Sequence, residues 1–388
     1  MTLPPTTAPT YPTSSKSHPS TKPTIALAVP KFSVNNSHRA FPRTIPKSIQ
    51  YSASHQVKEF PNFTPRKKRA KVIDVVLFNT ELDILELRLI TLFSVVDWFI
   101  IAESNQTFQG GSKPLHFQEN FIERFQPFRE KLIYVLINDY LEYHGGFSIE
   151  TKHRNLAGQL GIKKVPRKLK NNDLIFSFDV DEILRPDVIN WLAWYEGYSQ
   201  EVHFYLHWNI YGFMWSNPNS WYVSGLGLVN HVKNVCLDDE MQGFAVNSLR
   251  SAKFCGKNEE KNEQQPLTRK NIFKIGNPYN NMPPQAGWHC SWCFPLSKFA
   301  NKLESFAHNE MNEAKYKQYE VFIQAKRNGY WFAQPVGVEN PISFADSQNK
   351  ENFAPPGFDH NLWGKGEKWR YLIDANITGD ELNEKLRP

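Results

Sequence analysis

The amino-acid sequence predicts an α/β fold, a mostly parallel sheet preceded by a disordered N-terminal tail. Three observations carry that expectation. Short apolar runs of strand length alternate with segments of helical period, most of those runs end in polar or acidic residues, and the first 71 of the 388 residues differ in composition from the rest.

The tail comes first. Residues 1–71 contain twelve Lys and Arg against one acid, Glu59, so they carry +11 and leave −5 on the other 317 residues of a chain whose formal charge is +6. They hold 11 of the 26 prolines and 18 Ser and Thr, but none of the 11 tryptophans. Such a stretch lacks the apolar surface needed to offset the entropy of ordering it. The body is mildly acidic, which argues against a nucleic-acid partner, since a fold that binds nucleic acid concentrates cations on its surface. The expected division is a tail over 1–71, a folded domain over 72–340 and a C-terminal extension over 341–388. The basic run Arg66-Lys67-Lys68-Arg69 reads as a solvated linker. No apolar run of about 18 residues occurs and no stretch has a signal-peptide core, so neither a membrane anchor nor a signal peptide is visible.

Residues 72–78 form the first expected strand, followed by Asn79-Thr80-Glu81. Leu82, Leu85, Leu89 and Leu92 then recur at helical spacing, with Glu86 and Arg88 off that stripe. A second strand over 95–102 ends at Glu103, and a third over 131–137 ends at Asn138-Asp139. Residues 147–160 are helical in pattern, with Ile149, His153, Leu156 and Leu160 on one side. A fourth strand over 174–178 runs into Asp179-Val180-Asp181-Glu182, and Pro186 opens a helix through Trp194. Strands separated by helices make βαβ units, whose ligands bind beyond the carboxyl ends of the strands. Glu81, Glu103 and the 179–182 cluster are expected to meet at that edge.

Alternation along a strand places Asp179 and Asp181 on one side. Two carboxylates projecting together repel unless a cation sits between them, and a divalent metal bridging them to a diphosphate satisfies both. Two enzyme classes use a buried strand followed by Asp-x-Asp. Nucleotide-sugar glycosyltransferases hold metal and sugar diphosphate there. Haloacid-dehalogenase-like phosphatases use the first Asp as nucleophile and the second as acid/base, but their motif opens the domain. Here about 100 residues of βα pattern precede it. A third reading, a non-catalytic carbohydrate-binding protein, rests on the tryptophans around 208–221 and 288–292. In Gly287-Trp288-His289-Cys290-Ser291-Trp292-Cys293-Phe294, His289 is either a packed core histidine or an imidazole ligand beside the carboxylates. The lone C-x-x-C is weak as a metal site. It reads as two buried thiols or a structural disulfide, with a redox pair as the other option.

Several strings together resemble glycosyltransferase family 17, the bisecting N-acetylglucosaminyltransferases. They are Phe78-Asn79-Thr80-Glu81-Leu82-Asp83-Ile84-Leu85, Val95-Val96-Asp97-Trp98-Phe99-Ile100-Ile101-Ala102-Glu103-Ser104-Asn105, Lys113-Pro114-Leu115-His116-Phe117, the acidic string at 179–182, Tyr211-Gly212-Phe213 with Trp215, and the 287–294 string. The resemblance spans residues 72 to about 335. It implies a GT-A-like nucleotide-sugar-binding domain and transfer of N-acetylglucosamine from UDP-N-acetylglucosamine to a mannose hydroxyl of a glycoprotein N-glycan, in β-1,4 linkage with inversion. It implies a divalent metal, Mn²⁺, held by Asp179, Asp181 and His289, with Asp179, Asp181 and Glu182 catalytic. It implies donor contacts from Asn79, Glu81, Glu103 and Arg154. Asp238, Asp239 and Glu240 join Glu182 as candidates for the base. A Golgi lumen location follows from the family, with membrane attachment only if an anchor is missing from this chain. The polar stretch 258–271 resembles the family poorly, so acceptor choice is not carried over.

Overall fold

The computed structural model describes residues 63–138, 140–198, 202–235, 244, 246–250, 273–276, 285–333, 342–345, 353–359 and 368–380. The described chain begins at β1 (Thr64–Pro65), which pairs with β7 (Tyr195–Glu196). A five-stranded sheet follows, built from β2 (Val72–Phe78), β3 (Trp98–Ser104), β4 (Leu132–Ile137), β5 (Leu174–Ser177) and β10 (Leu226–Leu228). Its order is β10-β5-β2-β3-β4; the four central and outer strands β5, β2, β3 and β4 are parallel, and β10 is antiparallel.

β2 explains why this sheet is parallel and internal. Every residue of Val-Ile-Asp-Val-Val-Leu-Phe is buried, because both faces are covered. Val72, Val76 and Phe78 pack into one apolar core with α1 (Leu82–Leu92). Ile73, Val75 and Leu77 pack into another with Ala157 and Ile162 of α3 (Ser148–Ile162). A short helix, α2 (His116–Glu119), lies between β3 and β4 in the chain, and α4 (Pro186–Trp194) begins at Pro186 as expected.

A second sheet contains β6 (Glu182–Leu184), β8 (Val202–Ile210), β9 (Trp215–Ser224), β12 (Gly287–Ser291) and β13 (Ser343–Phe344), in the order β13-β9-β8-β12-β6. β11 (Phe273–Ile275) pairs in parallel with the first part of β8, and β12 in parallel with its last part. Three further helices are α5 (Val229–Val235), α6 (Phe299–Ser305) and α7 (Tyr319–Asn328). Trp292, Phe299, Phe322 and Phe332 form a third, aromatic core beside them. Residues 178–181, the acidic string, carry the chain from β5 of the first sheet to β6 of the second, and Gly225 carries it back from β9 to β10.

Three expectations are corrected. The strand expected over 95–102 begins only at Trp98, because Val95 N and Val96 N turn back to Leu92 O and the Asp97 carboxylate accepts Val72 N. Glu86 and Arg88, off the apolar stripe of α1, are buried. For Glu86 the reason is that the outer side of α1 is covered: Lys368 Nζ donates to Glu86, Tyr371 Oη to Asp83 at 2.7 Å, and Arg124 reaches both acids, whereas Arg88 turns to Asp74 of β2. Gly357 fits against this helix where a Cβ would come 2.5 Å from Thr91 Oγ1. Residues 353–359 and 368–380 are therefore packed on the body. Finally, half of the basic run is not solvated. Arg66 is buried on Tyr195 O and Glu196, and Arg69 binds Asp97 at 2.7 Å, while Lys67 and Lys68 are exposed.

Among the described residues no helix is long and apolar enough to cross a membrane.

Arg88 forms a two-pronged ion pair with Asp74 of β2, at 2.8 and 2.7 Å, with both side chains almost wholly inaccessible. Removing the cation alone strands a buried carboxylate, so Arg88→Met is expected to lower stability by about 3–5 kcal/mol. Adding Asp74→Leu is expected to recover part of that loss. Urea denaturation of the single and double variants checks both values, and a cost below about 1 kcal/mol for the single change would contradict the pairing.

Candidate active site

The acidic string is a turn. β5 stops at Ser177, β6 starts at Glu182, and Glu182 N donates to Asp179 O at 3.0 Å. Arg88 holds the turn from beneath, donating to Asp179 O at 3.1 Å and Glu182 O at 2.6 Å. Strand alternation therefore does not extend over it, and the expectation that Asp179 and Asp181 share one side is corrected: they face different partners.

Asp179 is bound on both oxygens, by Arg154 at 2.8 Å and Arg250 at 2.6 Å. Burial alone raises its pKa, but the Arg250 and Arg154 guanidinium groups outweigh burial and hold the carboxyl below the usual carboxylate range. Arg154, on α3, also pairs with Glu150 one turn earlier. Glu182 is fully buried. Its oxygens accept Asp179 N and Trp221 Nε1, each at 2.9 Å, and pair with Arg250. A carboxylate so occupied has little lone-pair capacity left for an acceptor hydroxyl.

Asp181 is different. No hydrogen bond reaches its carboxylate among the described residues; the ring nitrogen Nδ1 of His289 stands 3.7 Å away. Burial pushes its pKa up to about 8, Lys302 opposes that in part, and the charges of Asp179, Glu182 and Glu81 add to it. His289 comes from β12, where it pairs with Glu182 of β6 and Trp208 of β8. Its Nε2 bonds Ser291 Oγ at 2.7 Å, its ring stacks on Trp221 with centroids 4.1 Å apart, and its Nδ1 is buried with no partner. Burial lowers its pKa to about 4, so the imidazole is neutral and the 3.7 Å contact is no ion pair. Beyond it, Cys290 and Cys293 form a disulfide, with Cα atoms 5.6 Å apart, closing a turn in which Trp292 has φ 61°.

A neutral imidazole nitrogen and a carboxylate, both lacking partners and 3.7 Å apart, are suitable donors for a borderline or hard divalent cation. A buried carboxyl driven towards neutrality is what such a cation reverses. Among the described residues no three His, Cys, Asp or Glu side chains converge, so these two fit an ion that completes its shell from phosphate oxygens and water. Asp179, with both oxygens on arginines, fits as a ligand only by releasing one of them.

The other expected residues divide. Glu81 follows β2 and pairs with Lys302 of α6, whose charge also acts on Asp181; burial raises the Glu81 carboxyl, and Lys302 brings it below its ordinary value. Asn79 donates to Ser305 Oγ at 2.8 Å, leaving its Oδ1 buried without a partner. Asn79 lines a narrow cleft, with room for about one water, at the carboxyl ends of β2, β3 and β4, with Lys113, Phe108 and His153, whose Nε2 also lacks a partner. Burial lowers the His153 pKa to about 4. Glu103 is not brought to the acid cluster: it accepts Phe117 N, Gln118 N and Tyr134 Oη, fixing α2. Asp380, the late acid that a phosphatase motif needs, binds Ser297 and Tyr319. Asp238, Asp239 and Glu240 lie outside the described residues. Sequence reasoning missed Arg250, Lys302 and the role of Trp221. The Glu150–Arg154 spacing was readable as a helical pair, but nothing in the sequence assigns Arg250 or Lys302 to this cluster.

The family model "Glycosyltransferase family 17" matches residues 35–233. Proteins from Rattus norvegicus and Homo sapiens, both named beta-1,4-mannosyl-glycoprotein 4-beta-N-acetylglucosaminyltransferase, are each 27% identical over 342 residues, covering 85% of this chain. The protein of that name from Mus musculus is 26% identical over the same length. The chain spans 59% of the length of these curated relatives.

Two stability measurements separate the bound acids from the free one. Glu182→Gln strands Arg250 and is expected to cost about 3 kcal/mol. Asp181 keeps its proton to about pH 8 when folded but loses it near 3.8 when unfolded, so the folded state holds an extra proton between those values. Stability should therefore fall as pH rises through that window, and Asp181→Asn should abolish this share of the fall. Denaturation in the presence of a chelator, at several pH values, checks the sign.

Proposed function

Because the chain belongs to glycosyltransferase family 17, we propose that it transfers N-acetylglucosamine from UDP-N-acetylglucosamine to a mannose hydroxyl of a glycoprotein N-glycan, in β-1,4 linkage with inversion. The observation that supports this reading best is the partnerless Asp181–His289 pair, set among arginines at the end of a parallel strand. The domain is read as GT-A-like, with its nucleotide sugar at the carboxyl edge of the first sheet. The relatives' names support the acceptor, and a Golgi lumen setting is proposed with it.

Asp181 and His289 would hold the divalent cation, Mn²⁺ in this reading. When bound, it supplies positive charge that neutralises the departing diphosphate. The protein's own groups do the rest. Arg154 is buried, yet its Nε and one terminal nitrogen have no partner, which leaves two N–H donors for phosphate oxygens. Asp179 acts as a positioning residue, fixing Arg154 and Arg250 against the turn. The partnerless Asn79 Oδ1 and His153 Nε2 line a cleft with room for about one water, too narrow as it stands for a nucleotide base. Inversion needs a carboxylate to take the acceptor proton as the new bond forms in line. Glu182 is spent on the turn, which leaves Asp238, Asp239 and Glu240 of the expected set.

Asp181→Ala and His289→Ala are each expected to weaken Mn²⁺-dependent UDP binding by about 10- to 100-fold with melting still cooperative. Calorimetry with and without Mn²⁺ measures this, and unchanged binding would count against the metal assignment. A donor screen measuring UDP release from several sugar nucleotides, with and without a glycopeptide acceptor, tests the reaction itself.

A further inference from the structure

Two kinds of cation serve the acid turn. Arg154 and Arg250 are bound to its carboxylates, and Arg88 to its carbonyls. Lys302 is different: among the described residues it makes no hydrogen bond or ion pair with the turn. It arrives on α6, which docks on the end of β2 through two contacts. Lys302 Nζ donates to Glu81 Oε1, and Ser305 Oγ accepts Asn79 Nδ2 at 2.8 Å. Residues three apart share one side of a helix, so both contacts come from the same face of α6. β5 runs parallel beside β2, with Ser177 opposite Val75, and the two strand ends bring Glu81 and the acid turn to one edge.

Two features of Lys302 exceed what fastening a helix requires. An ammonium carries three N–H donors, and among the described residues Glu81 takes one of them. The ring of Phe306, centred 5.9 Å away, is its other near neighbour. The side chain also keeps 18% of its surface exposed, whereas Arg88 in its sealed pair with Asp74 keeps 1%, so a ligand can reach Lys302. Its charge acts on Asp181, whose carboxylate has no hydrogen bond among the described residues. Burial works against the ammonium, but Glu81, Asp181 and Asp179 outweigh it and keep the group charged.

We propose that Lys302 is a catalytic residue, whose free N–H donors take a β-phosphate oxygen of the sugar nucleotide as negative charge grows on it. This rests on the glycosyl transfer proposed above. In that transfer the bond from the anomeric carbon to the β-phosphate oxygen breaks, and its electron pair stays on the oxygen of the departing UDP. The acceptor oxygen bonds to the anomeric carbon, and its proton passes to a carboxylate base. Lys302 keeps its own protons throughout and stabilises the leaving group by charge and hydrogen bonding. A compact ammonium suits a single oxygen that gains charge, where the fork of Arg154 suits two oxygens at once. Glu81 is then the positioning residue that aims Lys302 from the end of β2.

Lys302→Met alone strands the buried Glu81 carboxylate, so the principal variant adds Glu81→Leu and replaces the whole ion pair by apolar groups. It should melt as cooperatively as the parent, yet lose about 100-fold in kcat with UDP-N-acetylglucosamine, Mn²⁺ and a glycopeptide acceptor. Calorimetry should show UDP bound about 10-fold more weakly. UDP-N-acetylglucosamine should lose less, because its β-phosphate carries less charge than that of free UDP. Lys302→Arg, which keeps the cation, should recover most of the UDP affinity. Should the double variant fail to fold, Lys302→Gln, which can still donate to Glu81, should show the same losses. A folded variant with kcat within about threefold of the parent, or with equal losses for UDP and UDP-N-acetylglucosamine, would overturn the role of Lys302 alone. A parent chain that transfers no sugar from any sugar nucleotide would overturn the reaction, and the role of Lys302 with it.

Discussion

The Arg88 guanidinium is the contact on which the rest of the structure depends. It is buried under the first sheet, neutralised by Asp74 of the central strand, and its remaining hydrogens go to the carbonyls of Asp179 and Glu182. A buried ion pair seldom adds much net stability against an apolar replacement, because desolvation offsets the attraction. Its value here is positional. It fixes the four-residue crossing between two sheets, so that a turn with acids on it presents them in set directions. The cost of burying Arg88 is offset by Asp74 and the two carbonyls, while residues from the end of the chain seal the Asp83 and Glu86 side of the same helix.

Above that support the site is electrostatically uneven. Asp179 and Glu182 are satisfied by arginines, a tryptophan and the backbone; the Asp181 carboxylate and His289 Nδ1 are not. Unsatisfied groups beside over-satisfied ones are expected where a site gives up stability for function, since the missing partner arrives with the substrate. The second sheet matters for this reason: β12 delivers His289 from more than a hundred residues downstream, and β9 delivers Trp221 to orient it.

Much of this was legible in the sequence. The parallel strands declared themselves because a strand covered on both faces must be apolar throughout, as in residues 72–78, and Pro186 marked its helix by the geometry of its ring. The acidic string was also visible, together with His289. What failed was local. Strand alternation was extended four residues past Ser177, because nothing in Phe178-Asp179-Val180-Asp181 announces that the chain is leaving one sheet for another. The burial of Glu86 and Arg88 was hidden for a related cause: helical periodicity reports one apolar side, and neither the cover that Gly357, Lys368 and Tyr371 contribute nor the Asp74 partner of Arg88 leaves a mark within α1 itself. Arg250 and Lys302 could not be placed because their partners are set by tertiary approach alone.

That second cover has a practical bearing. Trp369, Tyr371 and Leu372 are among the most deeply inserted side chains of the molecule, although they lie beyond the last long helix and beyond the stretch matched by the family model. A truncated gene product ending near residue 340 would retain every acid and histidine of the site and yet expose the underside of the helix that supports them. Trimming the chain there would thus bare apolar surface that Trp369, Tyr371 and Leu372 now cover, and a purification tag is better appended after the final residue than substituted for what precedes it.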